Sequence, residues 1–359
     1  MRRRKDLVIN SLLTIVFTTL CLLLFFVYKE RFLNKKIENN ENKQEVVLDR
    51  IIDNSEYIEK DEVEFQKWIN DNYSNKNFYL SCITKNKALS SEEIEVLKTI
   101  NTFLNEQKVS TEIKKQVCMN TYKLDIYYKS NISDSITGYY ENDIIYLNQG
   151  KVEDRYFQIL GHELFHAISS NSSKNTVGFY QKDTNVGYLL NEGITQLLTE
   201  EYYAESPFTI YKDEVVFAKM LLEIVSAKKV LNAYLEGDIE ILINDLEKST
   251  AVNREEFLDF VSAIDNYKDS EDGIDKVISS YKILYKKINK KSYSNDKVIK
   301  AYLYLLGRSD SLKLEVYDIT SYYFSNSLKK EYPYPIVKIK QLVEEKGKTK
   351  IKIIEEVIK

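Results

Sequence analysis

The sequence predicts an α+β chain: a mixed α/β half to about residue 170, an all-helical half after it, and one transmembrane helix in front. Three observations carry that reading. Residues 7–28 hold no charged side chain. Short stretches of apolar/polar alternation and hairpin pattern fall before residue 150. From about Glu153 the apolar residues recur mostly at helical spacing, nearly to the end of the chain.

The run LVINSLLTIVFTTLCLLLFFVY is 22 residues long, enough to cross a bilayer as a helix. It ends in Phe25-Phe26-Val27-Tyr28-Lys29 with no small-residue cleavage site, which favours an uncleaved anchor over a signal peptide. Cys21 follows Thr18, Thr19 and Leu20, so a lipoprotein signal does not fit. Arg2, Arg3, Arg4 and Lys5 favour a cytoplasmic tail over 1–6, against Lys29, Arg31, Lys35 and Lys36 on the other flank. The expected location is the cell membrane, single-pass, with the large domain extracellular. Residues 29–76 read as a charged stalk and 77–359 as the folded domain. The net charge of -4 gives no reason to expect nucleic acid as a partner. Cys82 and Cys118 form no metal-binding spacing; they are either one disulfide or two buried thiols.

Within the domain, Phe78-Tyr79-Leu80 reads as the opening of a strand. Ser90 and Glu93 form a capping box ahead of a helix through Ile94, Leu97, Ile100 and Leu104. Tyr122–Tyr128 alternates as a strand, and Ile136–Tyr140 with Ile144–Leu147 reads as a hairpin. A helix is expected over about Glu153–Ser169, a polar loop over 170–185, and another helix over about Val186–Tyr203. After Pro207 the pattern is helical, with Val215, Ala218, Leu221 and Leu222 on one face.

The chain has two histidines, and both lie in Gly161-His162-Glu163-Leu164-Phe165-His166. On a helix, positions i and i+4 share a face, so both imidazoles can meet one tetrahedral zinc. Glu163 then stands beside the open coordination position, where a general base is needed. With no third histidine in the chain, a carboxylate is the expected third ligand. Glu192, in Leu190-Asn191-Glu192-Gly193-Ile194-Thr195-Gln196, falls inside the next helical pattern.

Together, HELFHAI and LNEGITQ resemble the paired motifs of the gluzincin metallopeptidases, both thermolysin-like enzymes and zinc aminopeptidases. The resemblance covers roughly 136–200 and implies a zincin-like fold, one zinc ion, and a peptide or protein substrate. It implies His162, His166 and Glu192 as ligands and Glu163 as catalytic base. Two departures stand out. The gap from His166 to Glu192 is 26 positions, longer by several than in those families, and Gln196 stands where thermolysin-like enzymes carry an aspartate that orients a histidine ligand. The resemblance further implies an edge strand for substrate at Gly138, Tyr139 and Tyr140. It also implies an oxyanion donor, for which Tyr211 is the first candidate and Tyr188 the second, ahead of Arg155, Arg254 and Arg308. The competing reading is a membrane-tethered zinc-binding or sensor domain without turnover; the presence of Glu163 argues against it.

Overall fold

Four helices open the described part of the chain, and their apolar spacing explains each of them. In the computed structural model the described residues are 61–75, 77–130, 132–133, 136–151, 155–203, 211–289, 314–320, 323–325, 336–345 and 348–358. The expected anchor at 7–28, the stalk to residue 60, Pro207 and Arg308 lie outside them. Among the described residues no helix is long and apolar enough to cross a membrane.

Helix α1 (Glu62–Asn72) is capped by Asp61 and buries Phe65 and Ile69. It belongs to the compact unit that starts at Asp61, so the folded part includes residues expected in the stalk. Helix α2 (Phe78–Lys85) replaces the strand expected at Phe78-Tyr79-Leu80. Its buried residues Phe78, Tyr79, Cys82 and Ile83 follow helical spacing, a stripe that three consecutive apolar residues do not reveal. Helix α3 (Ser91–Gln107) starts at the Ser90/Glu93 capping box, with both reciprocal bonds formed. Helix α4 (Thr111–Lys123) was not anticipated; Ser110 caps it, and Ile113, Val117, Cys118 and Thr121 face inward. Cys82 and Cys118 are bonded, which ties α2 to α4.

Strand β1 (Asp125–Lys129) begins only after Tyr122 and Lys123 have completed α4. Strands β2 (Gly138–Glu141) and β3 (Ile144–Asn148) form the expected hairpin. Its turn places Asn142 and Asp143 at φ 50° and 64°, the left-handed pair that a two-residue hairpin turn demands. The sheet order is β1-β3-β2, with β1 parallel to β3, so β2 is an edge strand. Ile126, Ile145 and Leu147 form its buried face.

Helix α5 (Tyr156–Ile168) is buried without interruption from Ile159 to Ile168. The polar stretch expected as a loop at 170–185 contains a small antiparallel sheet of β4 (Ser170–Asn171), β5 (Thr176–Val177) and β6 (Tyr180–Gln181). Helices α6 (Tyr188–Tyr202), α7 (Lys212–Ile224), α8 (Ala227–Leu235), α9 (Ile239–Ser249), α10 (Arg254–Asp265) and α11 (Gly273–Asn289) follow. Phe217, Tyr234, Phe257, Phe260 and Tyr281 anchor the core of this half.

The chain does not stay helical to its end. Strands β7 (Leu314–Thr320), β8 (Ile336–Glu345) and β9 (Lys348–Ile358) form an antiparallel meander. The cause is visible in Lys348-Thr349-Lys350-Ile351-Lys352-Ile353, where lysine and β-branched residues alternate with period two.

Candidate metal centre

Helix α5 carries His162 and His166 four residues apart, and their Nε2 atoms approach to 3.2 Å. The helix begins close against Tyr203, whose ring occupies the space a side chain at Gly161 would need. Its C-terminus is held by α4: Asn120 Nδ2 donates to the carbonyls of Ala167, Ile168 and Ser170, at 3.1, 3.3 and 2.9 Å. These bonds supply a donor at the end of the helix, where the last carbonyls lack partners one turn on, and tie in the first residue of β4.

Helix α6 brings Glu192 to the same point. Its Oε2 lies 3.2 Å from His162 Nε2, and its Oε1 lies 3.5 Å from His166 Nε2. One donor atom from each of the three residues falls within 4.8 Å of the others, and all three residues are buried. The position of α6 follows from two features. Gly193 leaves room for the Glu214 carbonyl of α7, which a Cβ would strike. Asp265 of α10 accepts from the backbone N–H groups of Gly187 (2.6 Å) and Leu189 (3.0 Å), closing the N-terminus of α6.

The protonation pattern around His162 tests whether a cation fits. Gln196 Nε2 donates to Glu200 Oε1 at 3.2 Å, so its Oε1 is the atom turned to His162 Nδ1, at 3.1 Å. That oxygen only accepts, which places the proton on Nδ1. His162 Nε2 then faces a carboxylate oxygen in a buried place, so a second ring proton or a metal cation has to stand between the two. Two bare acceptors at that separation repel. Two imidazoles and a carboxylate are a donor set that suits zinc, and three ligands leave a position open.

The second histidine is held differently. Asn191 Nδ2 lies 3.2 Å and Thr195 Oγ1 3.5 Å from His166 Nδ1. Asn191 Oδ1 accepts from the Phe179 N–H at 3.1 Å, and Thr195 Oγ1 bonds the Tyr234 hydroxyl at 2.8 Å. The Asn191 amide can donate to a bare Nδ1, and the Thr195 oxygen can accept from a protonated one.

Glu163 is buried on α5 but stands outside the three-residue group. Burial pushes its carboxyl up to about 7; His162 opposes the shift, Glu192 adds to it, and a hydrogen bond from the Tyr140 backbone N–H opposes it. Burial also works against ionised Glu192, but His166 and His162, in their protonated forms, outweigh it and hold that carboxyl well below the ordinary range.

Tyr211 stands at the N-terminal cap of α7, with φ 58°. Its ring stacks on His162 with centroids 5.4 Å apart and planes 7° from parallel. Burial, then the charge of Glu192, push its phenol well above the usual value. It therefore remains a hydrogen-bond donor across the working pH range. A left-handed conformation at a bulky residue is uncommon and clusters at functional sites. Tyr188 also feels the acidic groups: burial, Glu192 and Glu163 push it up to about 12. Its ring is half exposed and meets Tyr180 edge-on at 5.4 Å. Arg254, in contrast, is spent on Glu240 at the surface, and Arg155 is exposed at the start of α5.

The three hairpin residues divide into two kinds. Asn148 N–H donates to the Thr137 carbonyl, which fixes the alternation along the ladder. Gly138 and Tyr140 consequently turn their backbone groups to the free edge of β2, and the Tyr140 N–H there favours the charged form of Glu163. Tyr139 turns its backbone to β3, and its ring stacks on Tyr146 at 4.8 Å. It offers nothing to that edge.

Sequence reasoning assigned no role to Asn191, Thr195, Tyr234, Glu200 or Asp265. A signal existed for three of them. Asn191 and Thr195 are four apart, as are Gln196 and Glu200, so each pair shares a face of α6. Asp265 and Tyr234 come from distant helices and left no local mark.

The chain matches no protein-family model, no curated protein and no solved structure.

Proposed function

We propose that the chain is a membrane-anchored, zinc-dependent peptidase that hydrolyses peptide bonds, with Glu163 as general base. The observation that carries this reading is the placement of Glu163. It is buried beside three converging donors without being one of them, and its carboxyl is raised towards neutrality. A site that only stores a metal needs no such group. Bound at His162, His166 and Glu192, zinc would supply a Lewis acid and would lower the pKa of water. Glu163 takes the proton from the attacking water and delivers it to the leaving amine. The Tyr211 phenol is positioned to donate to the developing oxyanion, and the free edge of β2 at Gly138 and Tyr140 suits an extended peptide backbone.

The uncharged run at 7–28 and the bond between Cys82 and Cys118 both support a domain outside the cytoplasm, because disulfides persist in oxidising compartments. The test is cleavage of a peptide library by the purified full-length chain, with and without a chelator. Chelator-sensitive cleavage that returns on adding zinc is expected. Stoichiometric zinc without cleavage would instead favour the tethered sensor. Protease shaving of intact cells should release the domain; complete protection would reverse the topology.

A further inference from the structure

Helix α6 presents Glu192, Gln196 and Glu200 at intervals of four, on one face. The first reaches the two imidazoles, the second bonds His162 Nδ1, and the third bonds the second. We propose that Glu200 is a positioning residue for the metal centre: its carboxylate fixes the Gln196 amide, and the amide fixes the tautomer and orientation of His162.

The argument rests on what each group is able to do. A glutamine amide has a donating end and an accepting end, and left alone it can present either to a histidine. An imidazole with Nδ1 protonated keeps its Nε2 lone pair for a metal; the other tautomer blocks that atom. Gln196 therefore serves His162 only in one of two orientations. Ionised Glu200 accepts and does not donate, so it selects the orientation with the amide NH2 towards itself and Oε1 towards His162. The amide then carries the influence of a charge that the glutamine lacks. Burial raises the Glu200 carboxyl above its ordinary value, and Lys219 on α7 and the Gln196 amide act against that shift, in favour of the ionised form. His166 has no such arrangement, because its neighbours Asn191 and Thr195 suit either protonation state.

This inference rests on the metal reading above, and the experiment separates the two. Zinc affinity of the full-length chain is measured by competition with a chromophoric chelator, for wild type, Glu200→Gln, and the exchange pair Gln196→Glu with Glu200→Gln. Glu200→Gln keeps shape and removes the selector, so affinity should fall by about 10–100-fold, the range for outer partners of metal-bound histidines. The exchange pair puts a carboxylate on His162 Nδ1 and an amide behind it, and should recover most of that loss. A structural role for Glu200 would not be rescued in this way. Selective ¹⁵N-histidine spectra of the metal-free chains provide a second readout, with His166→Gln assigning the signals of the two histidines. His162 should carry its proton on Nδ1 in wild type and in the exchange pair, and should mix tautomers in Glu200→Gln. Unchanged zinc affinity and an unchanged tautomer in Glu200→Gln would overturn the proposal, as would an exchange pair no better than the single variant. A wild-type chain that takes up no zinc would sink the metal reading, and the tautomer signal would still decide the role of Glu200.

Discussion

Helix α5 sets its three polar side chains in a shell of glycine and hydrocarbon: every other buried residue is Ile159, Leu160, Gly161, Leu164, Phe165, Ala167 or Ile168. Helix α6 buries Asn191, Glu192, Thr195, Gln196, Thr199 and Glu201 along one helix. The first holds its groups rigid by packing but has no polar neighbour of its own to orient an imidazole. The second supplies that orientation, as well as a ligand. Changes on α5 should therefore strike chemistry or ligation directly, while changes on α6 and its supports should act in graded steps.

The sharpest break should come from Glu163→Gln. Loss of a general base lowers turnover by about 10²–10⁴-fold, and zinc content should stay at the wild-type level because Glu163 lies outside the His162, His166 and Glu192 group. A variant that loses both would merge base and ligand into one role. Next, Glu192→Ala should weaken zinc binding by more than the roughly 10–100-fold that outer partners contribute. Glu201→Ala is the matched control. Glu201 accepts from the backbone N–H groups of Tyr323, Phe324 and Ser325, so its loss should appear in thermal unfolding with zinc affinity retained. Equal zinc loss in both would show that the distinction along α6 is wrong.

Tyr211→Phe removes only a hydroxyl and belongs to neither helix. It should lower kcat roughly ten-fold or more, in the range of a lost oxyanion donor, with zinc content and KM little changed. A normal kcat would move the donor role to Tyr188. The smallest effect belongs to Asp265→Ala, which uncaps the N-terminus of α6. A lost helix cap costs about 1 kcal/mol, read from denaturant unfolding of the chain. Unchanged stability would leave the approach of α6 to α7 at Gly193 as the feature that positions it.

The meeting of His162, His166 and Glu192 was legible because a spacing of four is a property of the helix itself, and because the chain has no other histidine. The hairpin was legible from Asn142-Asp143, which tolerate the left-handed turn. The division of labour within that hairpin was not: the backbone direction of Tyr139 depends on ladder register, and one residue of slip reverses it. Helix α2 was misread because Phe78-Tyr79-Leu80 satisfies both periods over so short a window. Helix α4 escaped notice because Lys114, Lys115 and Gln116 dilute its apolar stripe. Asp265 could not have been found at all. Its partners are Gly187 and Leu189, nearly eighty residues away, and only the packing of α10 against α6 brings them together.

Tyr140 has one backbone N–H, and two claims meet on it. It faces Glu163 and favours the charged form of that carboxyl, against the burial that raises it. On the peptidase reading, a peptide strand docked along β2 with a carbonyl at that N–H would take the donor for itself. Glu163 would then lose a contact that favours its charged form. One donor thus serves both the edge of the sheet and the carboxyl behind it, so whatever occupies the first bears on the second.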